Sequence, residues 1–417
     1  MALFDNCGVR AIKDKIGRVC IYENGHRICN QEGYDKIQLI DHYLNPVRDL
    51  QKHFRRYNDL KNVCDVTKLP GDLRIVKVLS TVEKDSSSNS IIALASWHET
   101  EKLILKISFE ERFPRDDNSL QVERKVYRDI TTVLQKYTPN LVPFVAVVGC
   151  NKGFVDTLVA NKSPIASNIY RQMQHISDVS GTKYDYQKAH ILVTHQAKGD
   201  TLDDWFRSVA WRSWKMVERT MFMRDVLFQV AYALVVFDDV RFKHGDLHTG
   251  NIFVEQMNEP LHLSFGLDRH TIVSRNINFF VRIYDFDRSS LDSKNKKIVN
   301  SSLIPRESVP NLCHMFGDCN DFRELADWFT ILHFIYIRTE GDAKLMERIS
   351  PEVCCATKVW PTLAAPVNVE GDICATLLIW TDTCYRLLLI TSCTTTSTSG
   401  LNVNRITNVP SVGTCGE

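Results

Sequence analysis

Regular alternation of apolar and polar positions begins after residue 72. Residues 74–79 and 91–97 are strand-like runs flanking a polar loop at 81–90, and a third run follows at 102–109. Period two in the third run puts Leu103, Leu105 and Ile107 on one face, and Ile104, Lys106 and Ser108 on the other. The pattern then predicts a helix over 119–136, with Ser119 as N-cap and Val126, Ile130, Val133 and Leu134 as its buried stripe. Residues 141–148 and 189–194 read as strands separated by a long polar insertion, 151–187. A short linker, 195–200, leads into a helix at 202–206. The strongest helical pattern covers 217–238, where Met223, Leu227, Val230, Leu234 and Phe237 recur at steps of four, three, four and three. Two β-like runs, 252–254 and 279–284, and an apolar helix at 328–337 complete the readable elements.

Two polar side chains interrupt these apolar faces. Lys106 sits in the middle of a strand, where an unpaired ammonium is expensive. Glu123 lies three residues before Val126 and four before Tyr127, which places it on the inward face of the helix. The two are the counter-charges available to each other, unless Glu123 reaches solvent along its stem. Paired, they would aim the lysine at nucleotide phosphates.

Two loop motifs supply the remaining chemistry. The first is His244-Gly245-Asp246-Leu247-His248-Thr249-Gly250-Asn251, and the second is Tyr284-Asp285-Phe286-Asp287. Asp246 on a short loop can orient an attacking hydroxyl and accept its proton. Asn251 and Asp285 offer hard oxygen ligands for Mg²⁺ bound to nucleotide phosphates. The backbone of His195, Gln196 and Ala197, in the glycine-containing linker, suits a hinge that holds an adenine edge. The loop at 81–90 is serine-rich rather than glycine-rich, a weak phosphate cradle.

Composition changes this picture little. A chain of 417 residues has room for a two-lobed catalytic domain with extensions, and 44% hydrophobic with 24% charged residues is ordinary for a globular protein. A net charge of +1 gives no global bias towards nucleic acid or an anionic membrane. Residues 51–61 are basic with interleaved aromatics, and they read as a solvated helix face before a nucleic-acid or acidic-partner surface. The 13 cysteines, scattered without CxxC pairs, read as reduced thiols of an intracellular protein. Cys313, His314 and Cys319 lack a fourth ligand for zinc. The apolar stretch 373–392 is broken by Asp382 and Arg386, so no membrane span is expected there. The Thr/Ser tract at 391–400 is expected to be disordered, and its hydroxyls are candidate phosphate acceptors.

Lys106, Glu123, residues 244–251 and Asp285 to Asp287 together resemble the eukaryotic protein kinase superfamily, and within it the haspin group. The likeness to haspins rests on His248 and the glycine before Asn251, on the long segment from Asn251 to Asp285 with Leu261-His262-Leu263-Ser264, and on the lack of an Ala-Pro-Glu motif after Asp287. A fainter likeness is to divergent kinases of large cytoplasmic DNA viruses such as iridoviruses. The resemblance spans about residues 72–340.

It implies a two-lobed α+β fold, with an antiparallel sheet and one helix in the first lobe and a mainly helical second lobe. The expected boundaries are 1–70 for an N-terminal extension, 71–198 and 199–345 for the lobes, and 346–417 for a divergent C-terminal segment. It also implies an ATP- and Mg²⁺-dependent serine/threonine protein kinase of the cytoplasm or nucleus, or of a host cell if viral. Asp246 would be the base, Lys106 the phosphate lysine with Glu123 its partner, and Asn251 and Asp285 the metal ligands. His244 would pack under the Asp-Phe turn, and Asp321 would brace the catalytic loop.

The expected partner is a protein substrate, a basic or histone-like one included, with Asp200, Asp203 and Asp204 available to contact it. The basic segment with Lys294, Lys296, Lys297 and Arg306 argues against a histone tail. No membrane partner and no direct nucleic-acid binding are expected. Gly245 stands where the family has an arginine that meets a phosphorylated activation segment, so that mode of activation is not expected. Asp287 replaces the glycine of the Asp-Phe-Gly turn, which restricts the backbone there. These losses keep two alternatives open: a pseudokinase that binds nucleotide without turnover, and a small-molecule phosphotransferase of the choline- or aminoglycoside-kinase type.

Overall fold

The computed structural model describes residues 10–13, 19–23, 26–28, 51, 52, 54, 63–69, 72–80, 90–97, 101–112, 119–135, 138–179, 183–266, 271–293, 296–299, 326–342, 344, 345, 348 and 349. Most of the 81–90 loop, Lys294, Arg306, the Cys313/His314/Cys319 group, Asp321, and the 373–392 and 391–400 stretches lie outside them.

The described residues form a mixed α+β structure of antiparallel sheets and several helices. Strands β1 (Arg10–Lys13), β2 (Val19–Glu23) and β3 (His26–Ile28) make an antiparallel meander. A five-stranded antiparallel sheet follows, built from β4 (Leu73–Val78), β5 (Ser90–Trp97), β6 (Glu101–Glu111), β7 (Phe144–Cys150) and β8 (Tyr184–His195), in the order β4-β5-β6-β8-β7. The alternation expected in β6 is met: Leu103, Leu105 and Ile107 are fully buried, and Lys106 projects from the other face.

Helix α1 crosses that second face. It starts as Ser119–Lys125, widens into a π-helical stretch, Val126–Thr131, and closes as Thr132–Leu134. The widened stretch corrects one expectation. Inserting i→i+5 turns changes the phase of the residues beyond them, so Leu134 is buried while Val133 is 45% exposed.

The polar 151–187 insertion is also more ordered than its composition suggests. It contains α2 (Phe154–Ala160) and α3 (Pro164–Val179), which cover the outer face of the sheet. Phe154, Leu158, Ala166, Ile169, Met173 and Ile176 are the buried positions, a helical spacing hidden among polar residues. Phe109 meets Phe154 edge-on, with centroids 5.9 Å apart. Earlier in the chain, Phe54, Val66 and Leu69 join the same core, and Gln51 donates its side-chain amide to the Phe144 carbonyl. Part of the basic 51–61 stretch therefore packs inward. A disulfide joins Cys64 to Cys150, which corrects the all-thiol reading for two of the cysteines. The partners are 86 residues apart, with no local signal of pairing.

Beyond β8 come β9 (Asp200–Thr201), α4 (Leu202–Arg207), α5 (Val209–Ser213) and α6 (Met216–Asp239). The stripe expected in α6 is buried throughout, at Met223, Leu227, Val230, Leu234 and Phe237. Among the described residues α6 is the one helix long and apolar enough to cross a membrane, and most of it is enclosed by the fold.

Strand β10 (Phe242–Lys243) leads to a loop that ends in a 3₁₀ turn, Thr249–Asn251. Then β11 (Ile252–Gly266) and β12 (Thr271–Ile283) form a long hairpin, so the extra length between Asn251 and Asp285 is strand. Strand β1 pairs with β12 and β9 with β11, giving a six-stranded sheet in the order β3-β2-β1-β12-β11-β9. Two short strands, β13 (Ser290–Ser293) and β14 (Lys296–Ile298), pair beside β10, and α7 (Ala326–Arg338) packs against α6.

Three buried polar side chains tie these pieces together. Asn140 donates to the Gln229 side-chain oxygen (2.9 Å) and to the Val281 carbonyl (3.0 Å). Gln229 in turn donates to the Phe279 carbonyl (2.7 Å) and accepts from Val281 N–H (3.1 Å). Asp225 accepts from Asn278 N–H at 2.7 Å. The segment after α1 is thereby fixed to α6 and β12, the strand that ends at Asp285.

The crossing from β8 to α4 depends on Gly199, which has φ +83° and lies against β11. A Cβ there would overlap the Val254 carbonyl oxygen and the Glu255 Cα. Gly199→Ala is expected to destabilise the fold by about 2 kcal/mol or more, through left-handed strain plus backbone overlap. Equilibrium urea unfolding measures this, and an unchanged midpoint would show that the crossing does not need glycine.

Candidate active site

Three elements meet at Lys106. Its ammonium lies 2.9 Å from Glu123 Oε1 of α1 and 2.7 Å from Asp285 Oδ1, just after β12. The expected Lys106–Glu123 pair is therefore present, and Asp285 completes a three-membered ion cluster. Burial opposes the lysine charge, but Asp285, Glu123 and Asp287 together push its pKa well above the ordinary value. Burial also works against Asp285, yet Lys106 holds that carboxyl below the usual range. Glu123 is pushed up by burial, against the pull of Lys106. Asp287 is driven well above the usual carboxylate range by burial and by the charge of Asp285.

The Asp-Phe turn links this cluster to the loop. Asp285 takes a left-handed backbone (φ 67°), an uncommon conformation that aspartate tolerates better than most side chains. Its N–H donates to the Tyr127 hydroxyl of α1 at 3.3 Å. Fully buried Phe286 lies edge-on to Tyr127 (5.2 Å) and against His244 (5.0 Å). His244 Nε2 is 2.9 Å from the Tyr284 carbonyl. A continuous column, Phe144, Tyr127, Phe286 and His244, runs from the five-stranded sheet to the loop.

The column ends on a carboxylate that differs from the expected one. Asp327 accepts from His244 N–H (2.6 Å) and Gly245 N–H (2.9 Å). Asp321, expected to brace the loop, lies outside the described residues, and Asp327 makes these contacts six positions later. The signal was available, because Asp327 stands immediately before Trp328, where the apolar helical run begins.

Asp246 is half-enclosed. Burial pushes its pKa up to about 6, with Arg288 and His244 acting the other way. Arg288 Nε lies 3.5 Å from Asp246 Oδ2, and His248 Nε2 lies 3.9 Å from the same oxygen. Gly250 N–H donates to His248 Nδ1 at 3.0 Å, which leaves the ring proton of neutral His248 on Nε2, facing Asp246. Gly245 has φ +79°, and a Cβ there would overlap the Arg288 carbonyl oxygen, so an arginine at 245 does not fit this backbone. Sequence reasoning overlooked Arg288 and Tyr127, whose roles arise from contacts distant in the chain.

Asn251 donates its side-chain amide to the Asp246 carbonyl (2.8 Å), leaving its side-chain oxygen as its ligand atom. Asp285 has one oxygen on Lys106 and a second beyond it. Among the described residues, no three His, Cys, Asp or Glu side chains form a metal cage. A magnesium ion needs none, since it is held by one or two protein oxygens plus phosphates and water. The repulsion from Asp285 felt by both Asp246 and Asp287 marks excess negative charge that a cation would relieve. The residues present fit such an ion.

The linker is partly committed. His195 N–H donates to the Pro143 carbonyl and Gln196 N–H to the Lys102 carbonyl, because the strand pairing continues through them. Ala197 follows, buried beside them. The acidic residues beyond also have structural work. Asp203 binds Arg207 (2.6 Å), Arg338 (2.5 Å) and the Thr249 hydroxyl (3.1 Å). Thr201 caps α4 by accepting from Asp204 N–H and donates its hydroxyl to the Asp204 carboxylate, and Asp200 is exposed in β9.

Asp327→Ala would orphan two inward-facing amides at the start of the loop, at a cost of about 1–3 kcal/mol each. The expected result is a clear loss of stability in urea unfolding, with Asp327→Asn intermediate. A wild-type midpoint in Asp327→Ala would exclude the bracing role.

Comparison with known proteins adds little. No family model matches the chain, and no curated protein matches it. Among solved structures, the BubR1 kinase domain aligns with a TM-score of 0.41 and 10% identity, over 72% of this chain and 74% of that one. A likeness of that size carries no argument. The reading of the site rests on the residues themselves.

Proposed function

We propose that the chain is a protein-kinase-like phosphotransferase with a two-lobed fold, moving the γ-phosphate of ATP to a serine or threonine hydroxyl of a protein. The observation that carries this reading is Lys106 held between Glu123 and Asp285, with Asp246 on a loop tied to the same core. In its catalytic role Lys106 meets the α- and β-phosphates, and Glu123 keeps its stem from turning away. Ala197 is the linker residue best placed to offer its amide to adenine, since its two predecessors use theirs. Asp285 and Asn251 would hold Mg²⁺, which when bound neutralises phosphate charge.

Asp246 accepts the proton of the acceptor hydroxyl as its oxygen bonds to the γ-phosphorus. The bond from that phosphorus to the β-phosphate oxygen breaks, and ADP leaves with the electron pair. A carboxyl with a pKa raised to about 6 is better matched to this task than an ordinary aspartate. The haspin-like features, His248 and the long segment after Asn251, belong to the same proposal.

Transfer from labelled ATP with Mg²⁺ tests it. Lys106→Met and Asp246→Asn are each expected to lower the rate by about a hundredfold or more. Undiminished transfer in Asp246→Asn would remove Asp246 as the base, and no transfer by wild type would remove the reading. The pH dependence has a definite sign. The base works as a carboxylate, so kcat/KM is expected to fall as pH drops through about 6. A flat profile between pH 5 and 8 would contradict this.

A further inference from the structure

We infer that Arg288 selects the acceptor at this site, and that the class it selects is a serine or threonine peptide with acidic residues beside the hydroxyl. The inference rests on the phosphotransferase reading and deepens it. An acceptor hydroxyl must come within hydrogen-bond reach of Asp246, about 2.6–3.2 Å. The Arg288 guanidinium lies 3.5 Å from Asp246 Oδ2, so the atoms flanking that hydroxyl fall within its range. Its side chain is 38% exposed, which leaves it accessible to a ligand. Its position is fixed from below, because its carbonyl lies against Gly245, where a side chain has no room.

Arg338 of α7 is also 38% exposed, and it flanks the loop through Asp203 and Thr249. Both arginines act on His248, the residue next to Asp246 in space. Of the three acids that might have gripped a basic peptide, Asp200 is exposed and the other two are engaged elsewhere. Asp203 is held by Arg207 and Arg338, and Asp204 by Thr201. Arg288 is thus a partly exposed cation beside Asp246. A lysine or arginine beside the acceptor hydroxyl would meet like charge, whereas an aspartate or glutamate can pair with a planar guanidinium.

The test uses the full chain with Mg²⁺ and labelled ATP on three serine peptides of equal length, flanked by Glu, Ala or Lys. Wild type is expected to rank them Glu, Ala, Lys, with kcat/KM falling about threefold to fivefold at each step and the change mainly in KM. Arg288→Lys should keep the order, Arg288→Gln should flatten it, and Arg288→Glu should reverse it. The Gln variant removes the charge and introduces no opposite one, so it decides the matter if the Glu variant does not fold. Label without a preference, a preference for Lys, or an unchanged order in Arg288→Gln would overturn the assignment while leaving the transfer reading in place. Absence of label on every peptide with wild type would overturn both.

Discussion

A single ammonium group sets the constraints on this protein. Lys106 emerges from an apolar strand into a largely enclosed site, and its charge is stabilised by Glu123 and Asp285 beside it. Removing one partner of a buried pair costs about 3–5 kcal/mol, because the remaining charge is left uncompensated. The three residues come from β6, α1 and the turn after β12. Meeting at one point fixes the position of α1 over the sheet and of the Asp-Phe turn beneath it. On the proposed reading, the carboxylates beside Lys106 would hold a cation and the ammonium would meet a phosphate.

The contact is supported by packing that runs away from it in two directions. Downwards, Tyr127 and Phe286 stack towards His244, whose amide ends on Asp327. Sideways, Asn140 and Gln229 anchor the segment after α1 to the backbone of β12. Both paths consist of buried groups with satisfied partners, so neither can shift without exposing polar atoms to an apolar interior. The loop bearing Asp246 is therefore held firmly where it joins the core.

Much of this was legible in the sequence, for identifiable reasons. Lys106 and Glu123 could be paired because each violates its own local pattern and the other supplies the missing charge. The α6 stripe and the β6 alternation could be read because one face of each is fully buried. The features that escaped reading depend on distance or phase. Val133 turned outward because a π-helical stretch shifts the helix by part of a turn, which composition does not reveal. Helices α2 and α3 were hidden by polar residues on their outer faces. The Cys64–Cys150 bridge and the pairing of β1 with β12 join segments far apart in the chain. Asp327 carried a local sign, its place before the apolar run of α7, but its contact with the loop amides joins residues 83 positions apart.

The central claim is that the Lys106–Asp285 contact is a polyphosphate site that works with a divalent cation. Isothermal titration of ATP, with and without Mg²⁺, into wild type and Asp285→Asn tests it most directly. The account predicts that Mg²⁺ tightens binding to wild type, and that Asp285→Asn loses this gain while its unfolding transition stays cooperative. Binding to wild type that is indifferent to Mg²⁺, or a gain that survives in Asp285→Asn, would contradict it.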